Sequence, residues 1–144
     1  MDFSKINPGA FKHSAPIQIR FVDIDLAGHV NNATILSYFE TARVEFLNEM
    51  IEKENDWQSN GLVIAHSEID YIQPVYLQDK IKVYSRVLKM GTKSFTIENL
   101  LVKMEEGKEI FASYATFVIV CLDYRKKETK EIPSEWRAKF QSFL

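Results

Sequence analysis

Five segments of the chain alternate between hydrophobic and polar residues, the pattern of strands that bury one face. In the first segment, Ile17, Ile19 and Phe21 alternate with polar neighbours. The predicted strands are 16–22, 62–75, 80–88, 94–104 and 108–124. Glycine-containing turns separate the last three strands, which predicts two hairpins. The final strand is apolar on both faces, so we expect it to lie inside the sheet.

Between the first two strands the period changes to that of a helix, from residue 33 to about residue 54. Seven apolar residues share one face of this helix: Ile35, Leu36, Phe39, Ala42, Phe46, Leu47 and Met50. Asn31 or Asn32 is its predicted N-cap, and a short second helix is predicted after Pro133. One long apolar helix among five strands predicts an α+β domain, because only a sheet offers enough surface to cover so wide an apolar face.

Arg43 falls near the middle of this apolar helix face. A buried guanidinium needs a partner, because burying an unpaired charge is costly. Glu40 precedes it by one helical turn, which makes the two side chains neighbours on the helix surface. We therefore predict a structural ion pair between Glu40 and Arg43 near the core.

The chain has 144 residues, which suits one domain over 1–144. Its formal net charge of -2 argues against a nucleic-acid or anionic-membrane partner recognised through bulk charge. The single cysteine, Cys121, excludes an internal disulfide and fits a reducing compartment. No signal-peptide pattern opens the chain, and its longest apolar run, 115–122, is too short to span a bilayer. We expect a soluble cytoplasmic protein.

Polar side chains crowd into the stretch directly before the long helix: Asp23, Asp25, His29, Asn31 and Asn32. A helix start presents unpaired backbone N–H groups and the positive end of the helix dipole, which suits the oxyanion that forms when a carbonyl is attacked. A carboxylate just before it can act as a nucleophile or as a general base toward water. The alternative is that these residues only cap the helix and form turns in a solvated loop.

The chain resembles the 4-hydroxybenzoyl-CoA thioesterase family of hot-dog proteins in residues 21–32 (FVDIDLAGHVNN) and 38–43 (YFETAR). The HVNN part is similar to the branch of plant acyl-acyl-carrier-protein (acyl-ACP) thioesterases, and residues 67–81 resemble the strand and turn that follow the helix in this family. The resemblance implies a hot-dog fold, in which a five-stranded antiparallel sheet wraps around one long helix. It also implies hydrolysis of an acyl-CoA or acyl-ACP thioester without a metal or an organic cofactor, in a homodimer or homotetramer.

The resemblance also assigns roles by position. Asp25 corresponds to the family's catalytic carboxylate, and His29 corresponds to the histidine that acyl-ACP thioesterases use near the thioester. These two are the predicted catalytic residues. The plant enzymes carry a catalytic asparagine where this chain has Ala27, so their full catalytic set is not present and His29 is expected to orient the substrate.

The remaining polar residues receive other roles. Asn31 and Asn32, as caps beside the thioester, and Asp70, the nearest match to a further family acid on the strand after the helix, are the predicted substrate-binding residues. The spacing to Asp70 differs from that of the family. Asp23 is predicted to be structural, and His66 and Glu68 are predicted to lie on a solvated strand face.

Two other functions stay open at this point. Some hot-dog proteins hydrate or dehydrate an acyl-CoA with an acid and a histidine, although the spacing of Asp25 and His29 is shorter than we expect there. A non-catalytic acyl-thioester-binding module is the other possibility, although it has no need of a carboxylate beside the thioester.

Strands 80–88 and 94–104 contain no proline that would block pairing with another chain. We therefore predict a homo-oligomer in which the Asp25 loop faces a strand of a second chain.

Overall fold

The computed structural model describes residues 2–144, in which six strands form one antiparallel sheet with a long helix on one face. The elements are β1 (His13–Ile17), α1 (Asn32–Met50), β2 (Gly61–Tyr71), β3 (Ile81–Met90), β4 (Ser94–Glu105), β5 (Lys108–Asp123), β6 (Glu128–Thr129) and α2 (Ser134–Gln141). The sheet order is β1-β3-β4-β5-β2, with β6 paired to β5. Among residues 2–144, no helix combines the length and the apolar character needed to cross a membrane.

The core lies between α1 and the inner face of the sheet, which is the face turned toward α1. Phe39, Ala42 and Phe46 of α1 are fully buried there. They meet alternate residues of the strands, since successive side chains of a strand point to opposite faces. Phe39, for example, packs edge-on against Phe117 with ring centres 6.0 Å apart. The predicted α+β arrangement of five antiparallel strands around one long helix is confirmed, and the short β6 is an addition to it.

The long helix starts where the polar stretch predicts it and ends earlier than its period predicts. The side chain of Asn31 accepts a hydrogen bond from the Ala33 N–H (2.8 Å), which confirms Asn31 as the N-cap. At the other end, α1 stops at Met50, and Ile51 is extended (φ -110°, ψ 130°) yet still buried. The extended backbone of Ile51 ends the helix, and its side chain still packs on the core.

The first strand lies earlier than its alternation predicts. β1 ends at Ile17, and residues Phe21–Asp23 form one turn of 3₁₀-helix. The Asp23 carboxylate accepts hydrogen bonds from the backbone N–H and the side chain of Arg20, and this local bonding turns the chain away from the sheet. Phe21 is consequently 83% exposed. The prediction of a strand over 16–22 is therefore wrong at its C-terminal end.

β1 and β2 form the two edges of the five-strand order, and β3, β4 and β5 lie between them. The two predicted hairpins and the interior position of β5 are confirmed. The prediction that 80–88 and 94–104 are open to another chain is wrong, because β4 lies between β3 and β5, and β3 pairs with β4 and, over residues 81–85, with β1. β2 ends at Tyr71 and not at residue 75, because the N–H groups of Ile72 and Gln73 share one acceptor, the Ala112 carbonyl (2.9 and 3.1 Å), and Pro74 has no N–H to donate.

Arg43 is buried on the core face of α1, as predicted, with 6% of its surface exposed. The predicted ion pair is weaker than expected, since Glu40 approaches Nη2 only to 3.8 Å and has a side chain that is 71% exposed. The guanidinium lies over the ring of Phe117, 4.7 Å from its centre, and Nη1 has no hydrogen bond within residues 2–144. Burial lowers the pKa of Arg43 below its usual value, and the nearby Glu40 offsets this only in part.

The outer face of the sheet, turned away from α1, carries a second and smaller apolar cluster. Phe11 is buried there beside Leu100 and Tyr114. The N-terminal segment, with 3₁₀ turns at Phe3–Lys5 and Pro8–Ala10, packs over this cluster. The polar stretch before α1 lies on the opposite side of the sheet from the N-terminal segment, because its residue Val30 is buried in the core beneath α1.

Candidate active site

The polar loop between the 3₁₀ turn and α1 folds back on itself. Ile24 and Val30 pair as an isolated antiparallel bridge, and the Asp25 N–H donates to the His29 carbonyl (3.1 Å). Gly28 closes the turn, since its N–H donates to the Asp25 carbonyl (3.0 Å) and its φ of 87° lies in the left-handed region that favours glycine. The result is a tight hairpin that holds Asp25 and His29 beside the first turn of α1.

Asp23 fixes the base of this loop, which is called the Asp25 loop below (24–31). Its buried carboxylate accepts hydrogen bonds from the Tyr38 hydroxyl (2.5 Å) and the Arg20 side chain (2.9 Å), and its carbonyl accepts one from the Asn31 N–H (3.1 Å). Burial by itself raises the pKa of a carboxyl group, but the bonds from Tyr38 and Arg20 outweigh it and hold the pKa of Asp23 below its usual value. Asp23 is a charged structural residue, as predicted.

Asp25 is half-exposed, and both of its carboxylate oxygens are held by the loop. Oδ1 accepts a hydrogen bond from the Ala27 N–H (2.9 Å), and Oδ2 lies 3.3 Å from the side-chain nitrogen of Asn31. The oxygen of the same Asn31 amide caps α1. Asn31 therefore ties the carboxylate to the start of the helix, while each carboxylate oxygen keeps a further lone pair for a substrate or water.

The first turn of α1 offers one free donor beside this carboxylate. The Ala33 N–H is bonded to the side chain of Asn31, and the N–H groups of Thr34 and Ile35 both donate to the Asn31 carbonyl (2.9 and 3.1 Å). In the part of the chain that the structure describes, the Asn32 N–H donates no hydrogen bond. An N–H group at this position carries the positive end of the helix dipole and suits a developing oxyanion.

His29 is half-buried and faces the segment that follows β2. Its Nδ1 atom lies 3.3 Å from the Val30 carbonyl oxygen, and its ring meets the Tyr76 ring edge-on with centres 6.5 Å apart. When Nδ1 carries the proton, it donates to that carbonyl and leaves Nε2 as an acceptor. The Val30 N–H donates to the Val75 carbonyl (2.8 Å), which fastens this side of the Asp25 loop.

A cavity of about 190 Å³ opens where His29 and Asn32 meet the end of β2. Ile35 lines it on the helix side, and Tyr71 and Ser113 line it on the sheet side. The Tyr71 hydroxyl donates to the Asn32 carbonyl (3.2 Å), so α1 and β2 are joined at the rim. A concave space with apolar walls and a few fixed polar groups suits part of a small-molecule substrate.

The structure brings four of the five predicted site residues together. They belong to the Asp25 loop or to the first residue of α1: Asp25, His29, Asn31 and Asn32. Asp70 lies apart from them. It is opposite Tyr114 in the sheet, and Tyr114 belongs to the outer cluster, so the Asp70 side chain lies on the face turned away from α1. Its role in substrate binding stays a prediction.

Residues 19–140 match the family model of the Thioesterase-like superfamily. The chain belongs to this superfamily. The match includes the Asp25 loop, the long helix and all strands from β2 onward.

Individual relatives agree with this assignment. The long-chain acyl-CoA thioesterase FadM of Escherichia coli is 25% identical over 131 residues, which are 89% of this chain and 96% of FadM. A thioesterase of Thermus thermophilus, solved with coenzyme A and zinc, is 29% identical with a TM-score of 0.79 over 93% of this chain and 95% of that one. A mutant of 4-hydroxybenzoyl-CoA thioesterase, complexed with 4-hydroxybenzoyl-CoA, shares the fold at 14% identity, with a TM-score of 0.80 over 89% of this chain and 97% of that one.

Three of the sequence predictions are thereby confirmed for this thioesterase-like protein. They are the family, the hot-dog fold, and a thioester hydrolase as the class of enzyme.

Sequence patterns do not single out every residue of the thioesterase-like site. Tyr71 ends β2, Tyr76 lies in the loop that follows and Ser113 lies within β5, and only the folded chain brings them to the cavity and to His29. Lys103 is different, because it is recognisable from the sequence as unusual. It occupies an inner-face position of β4, where the alternation of apolar and polar residues predicts an apolar side chain.

Proposed function

We propose that this protein hydrolyses the thioester of an acyl-CoA, with Asp25 as its catalytic carboxylate. The observation that carries the proposal is the tether through Asn31, which holds the Asp25 carboxylate beside the first turn of α1. The Asn32 N–H, as oxyanion donor, belongs to a residue that lines the cavity proposed to take part of an acyl thioester, and Asp25 is bonded through its N–H to the carbonyl of His29, which lines the same cavity. FadM is named an acyl-CoA thioesterase and the Thermus thermophilus structure contains coenzyme A, and both support coenzyme A as the acyl carrier.

Two routes lead from this arrangement to the products. In the first, Asp25 takes a proton from a water molecule as the water attacks the thioester carbonyl. In the second, the Asp25 carboxylate attacks that carbonyl and forms an anhydride, which water then opens. In both, the Asn32 N–H stabilises the oxyanion and the C–S bond breaks. The departing thiolate takes up the proton that Asp25 took from water in the first route, and a proton from solvent in the second. His29 orients the thioester from the cavity wall.

A panel of acyl-CoAs, from short to long and aromatic, tests the proposal through the release of free thiol. For the preferred acyl group we expect kcat/KM in the range of ~10⁴–10⁸ M⁻¹s⁻¹. An acyl-ACP substrate in the same assay decides whether a carrier protein replaces coenzyme A. Consumption of an enoyl-CoA without thiol release would indicate a hydratase, and binding without turnover would indicate an acyl-thioester-binding module. Either result contradicts the proposal.

We further propose that a second copy of the chain pairs along β2, in a dimer or in a tetramer built from such dimers. The two sheet edges differ in how they accept another strand. β1 has five residues, one of which is Pro16, and proline cannot donate to a partner strand. β2 has eleven residues, Gly61–Tyr71, and only its side toward β5 is paired within residues 2–144. An open edge of this length is a template for a second strand.

Exposed apolar side chains surround this edge. Val63 and Ile64 of β2 and Val44 of α1 border a groove of about 230 Å³, and Arg43 lines the same groove. A second copy seated here would cover these side chains and bring polar groups toward the unbonded Nη1 of Arg43. The cavity beside His29 also lies between α1 and β2, so the second chain would border the active site.

Light scattering at low micromolar concentration is expected to give a mass of at least twice 16.7 kDa. Ile64→Lys places a charge in the apolar groove and should lower the mass and the thioesterase activity together. Leu88→Lys is the matched control, because Leu88 is 40% exposed and Ile64 is 39% exposed, and it should keep the wild-type mass. A fully active monomer would contradict the shared site and would leave the role of Asp25 untouched.

A further inference from the structure

Lys103 is a buried lysine on the inner face of β4. It continues the alternate positions of Phe95, Ile97 and Leu101, which belong to the core, and lies opposite Ile81 of the same core. Only 3% of its surface is exposed. Removing an ammonium group from water is costly unless the protein supplies hydrogen bonds and opposite charge. The contacts of the Lys103 Nζ atom therefore identify the segment that the buried ammonium group stabilises.

The ammonium group contacts one segment, residues 72–80, which connects β2 to β3 and is called the 72–80 loop. Its Nζ atom donates to the Pro74 carbonyl (2.7 Å), lies 3.8 Å from Oδ2 of Asp79, and stands 5.3 Å from the centre of the Tyr76 ring. The Asp79 carboxylate in turn accepts a hydrogen bond from the Tyr76 N–H (2.7 Å). Lys103 is thus the point at which three parts of this loop are held together.

The 72–80 loop is also a wall of the candidate active site. Pro74 and Val75 line the cavity beside His29. The Val75 carbonyl accepts a hydrogen bond from the backbone of the Asp25 loop (2.8 Å), and Tyr76 meets the His29 ring edge-on. A continuous series of contacts therefore leads from the buried ammonium group to the predicted catalytic residues.

We propose that Lys103 is a positioning residue of the active site, whose ammonium group holds the 72–80 loop against the Asp25 loop and so sets the place of His29. This inference rests on the proposed thioesterase function. Lys103 does not line the cavity, and it acts through Pro74 and Tyr76. A misplacement of reacting groups by about 1 Å lowers rates by ~10²-fold. Because one buried cation holds the 72–80 loop in place, loss of that cation is expected to lower the catalytic rate.

Lys103→Met keeps most of the length of the side chain and removes its charge and its donors. We expect kcat/KM to fall by ~10- to 100-fold, mostly through kcat, because the wall and His29 lose their fixed place. Lys103→Arg, which keeps a cationic donor, should recover a large part of the loss. Lys82→Met is the matched control, since it deletes a lysine bonded to Glu109 (2.8 Å) on the outer face, and it should keep the wild-type rate constants. A folded Lys103→Met variant with wild-type kcat/KM, or an equal loss in Lys82→Met, would overturn the proposal.

A second measurement does not depend on turnover and so separates this inference from the proposed function. The ring-proton NMR signals of His29 sense the ring current of Tyr76. They should shift in Lys103→Met and stay in place in Lys82→Met. Unshifted signals in Lys103→Met overturn the positioning role, whatever substrate the wild type accepts. If Lys103→Met does not fold, Lys103→Gln replaces it in both measurements. Glutamine keeps a donor for the Pro74 carbonyl but carries no charge. The same kinetic and NMR results then support or overturn the positioning role.

Discussion

An Asp25→Asn variant is expected to fold like the wild type and to lose thioesterase activity by a factor of at least ~10². An amide is neither a base nor a nucleophile at neutral pH, so both proposed routes stop. The fold should tolerate the change, because Asp25 is half-exposed and its bond to the Ala27 N–H needs only one oxygen. Rate constants from thiol release and a urea unfolding curve of the same sample measure the two expectations.

Asp23→Asn is the matched control, because it makes the same change in a neighbouring acid that is buried, whereas Asp25 is half-exposed. The Asp23 carboxylate accepts hydrogen bonds from Tyr38 and Arg20, and an amide has only one oxygen to accept them. The lowered pKa of Asp23 means that the unfolded chain binds the proton more readily. The charged Asp23 therefore stabilises the fold at neutral pH, and this contribution is lost as the pH falls through the folded-state pKa. We expect Asp23→Asn to lose stability at neutral pH and to keep a larger share of kcat than Asp25→Asn.

The role of Asp25 has two further checks. Near wild-type turnover by a folded Asp25→Asn variant would refute it as the catalytic carboxylate. If the variant is inactive, a single turnover of the wild type in oxygen-18 water tests the anhydride route, because label found in the Asp25 carboxylate identifies that route. The label enters the Asp25 carboxylate only if that carboxylate attacks the thioester and water opens the anhydride at the carboxylate carbon.

Arg43→Ala is expected to have a free energy of unfolding about 2–4 kcal/mol lower than that of Arg43→Met. Both variants remove the buried cation, but only alanine leaves a cavity beside Phe117 and loses the packing of the long side chain. Arg43→Met should be at least as stable as the wild type, because it removes a desolvated guanidinium whose nearest acid, Glu40, stays in solvent. Urea unfolding at one fixed protein concentration measures the difference, since association would add to the apparent stability.

Glu40→Gln is the control for the ion pair. Its carboxylate is exposed and 3.8 Å from the guanidinium, so we expect a change below about 0.5 kcal/mol. Equal denaturant midpoints for Arg43→Ala and Arg43→Met would contradict the burial of Arg43. An Arg43→Met variant that dissociates instead of gaining stability would indicate that a second copy supplies the missing partner of Nη1.

Periodicity and local motifs were sufficient for the fold class, the long helix, the two hairpins and most of the candidate site. When one face of a helix or strand is buried, its apolar residues repeat at a fixed spacing along the sequence. This spacing is visible without knowledge of the element that packs against that face. The site was equally local. Asp25, His29, Asn31 and Asn32 belong to one short stretch, and a single hairpin followed by a helix start brings them together. The same local view failed at Phe21, where the Asp23 carboxylate turns the chain away from the sheet.

Only the tertiary structure decided which strands form the edges, how Arg43 is accommodated and what Lys103 supports. Each of these depends on elements that are distant along the chain: Arg43 meets Phe117, and Lys103 meets Pro74. A sequence pattern predicts that a side chain lies on a buried face, but it does not identify the group opposite. The free energy of a buried charge depends on that group, because the cost of desolvation is recovered only by a bonded partner at close range.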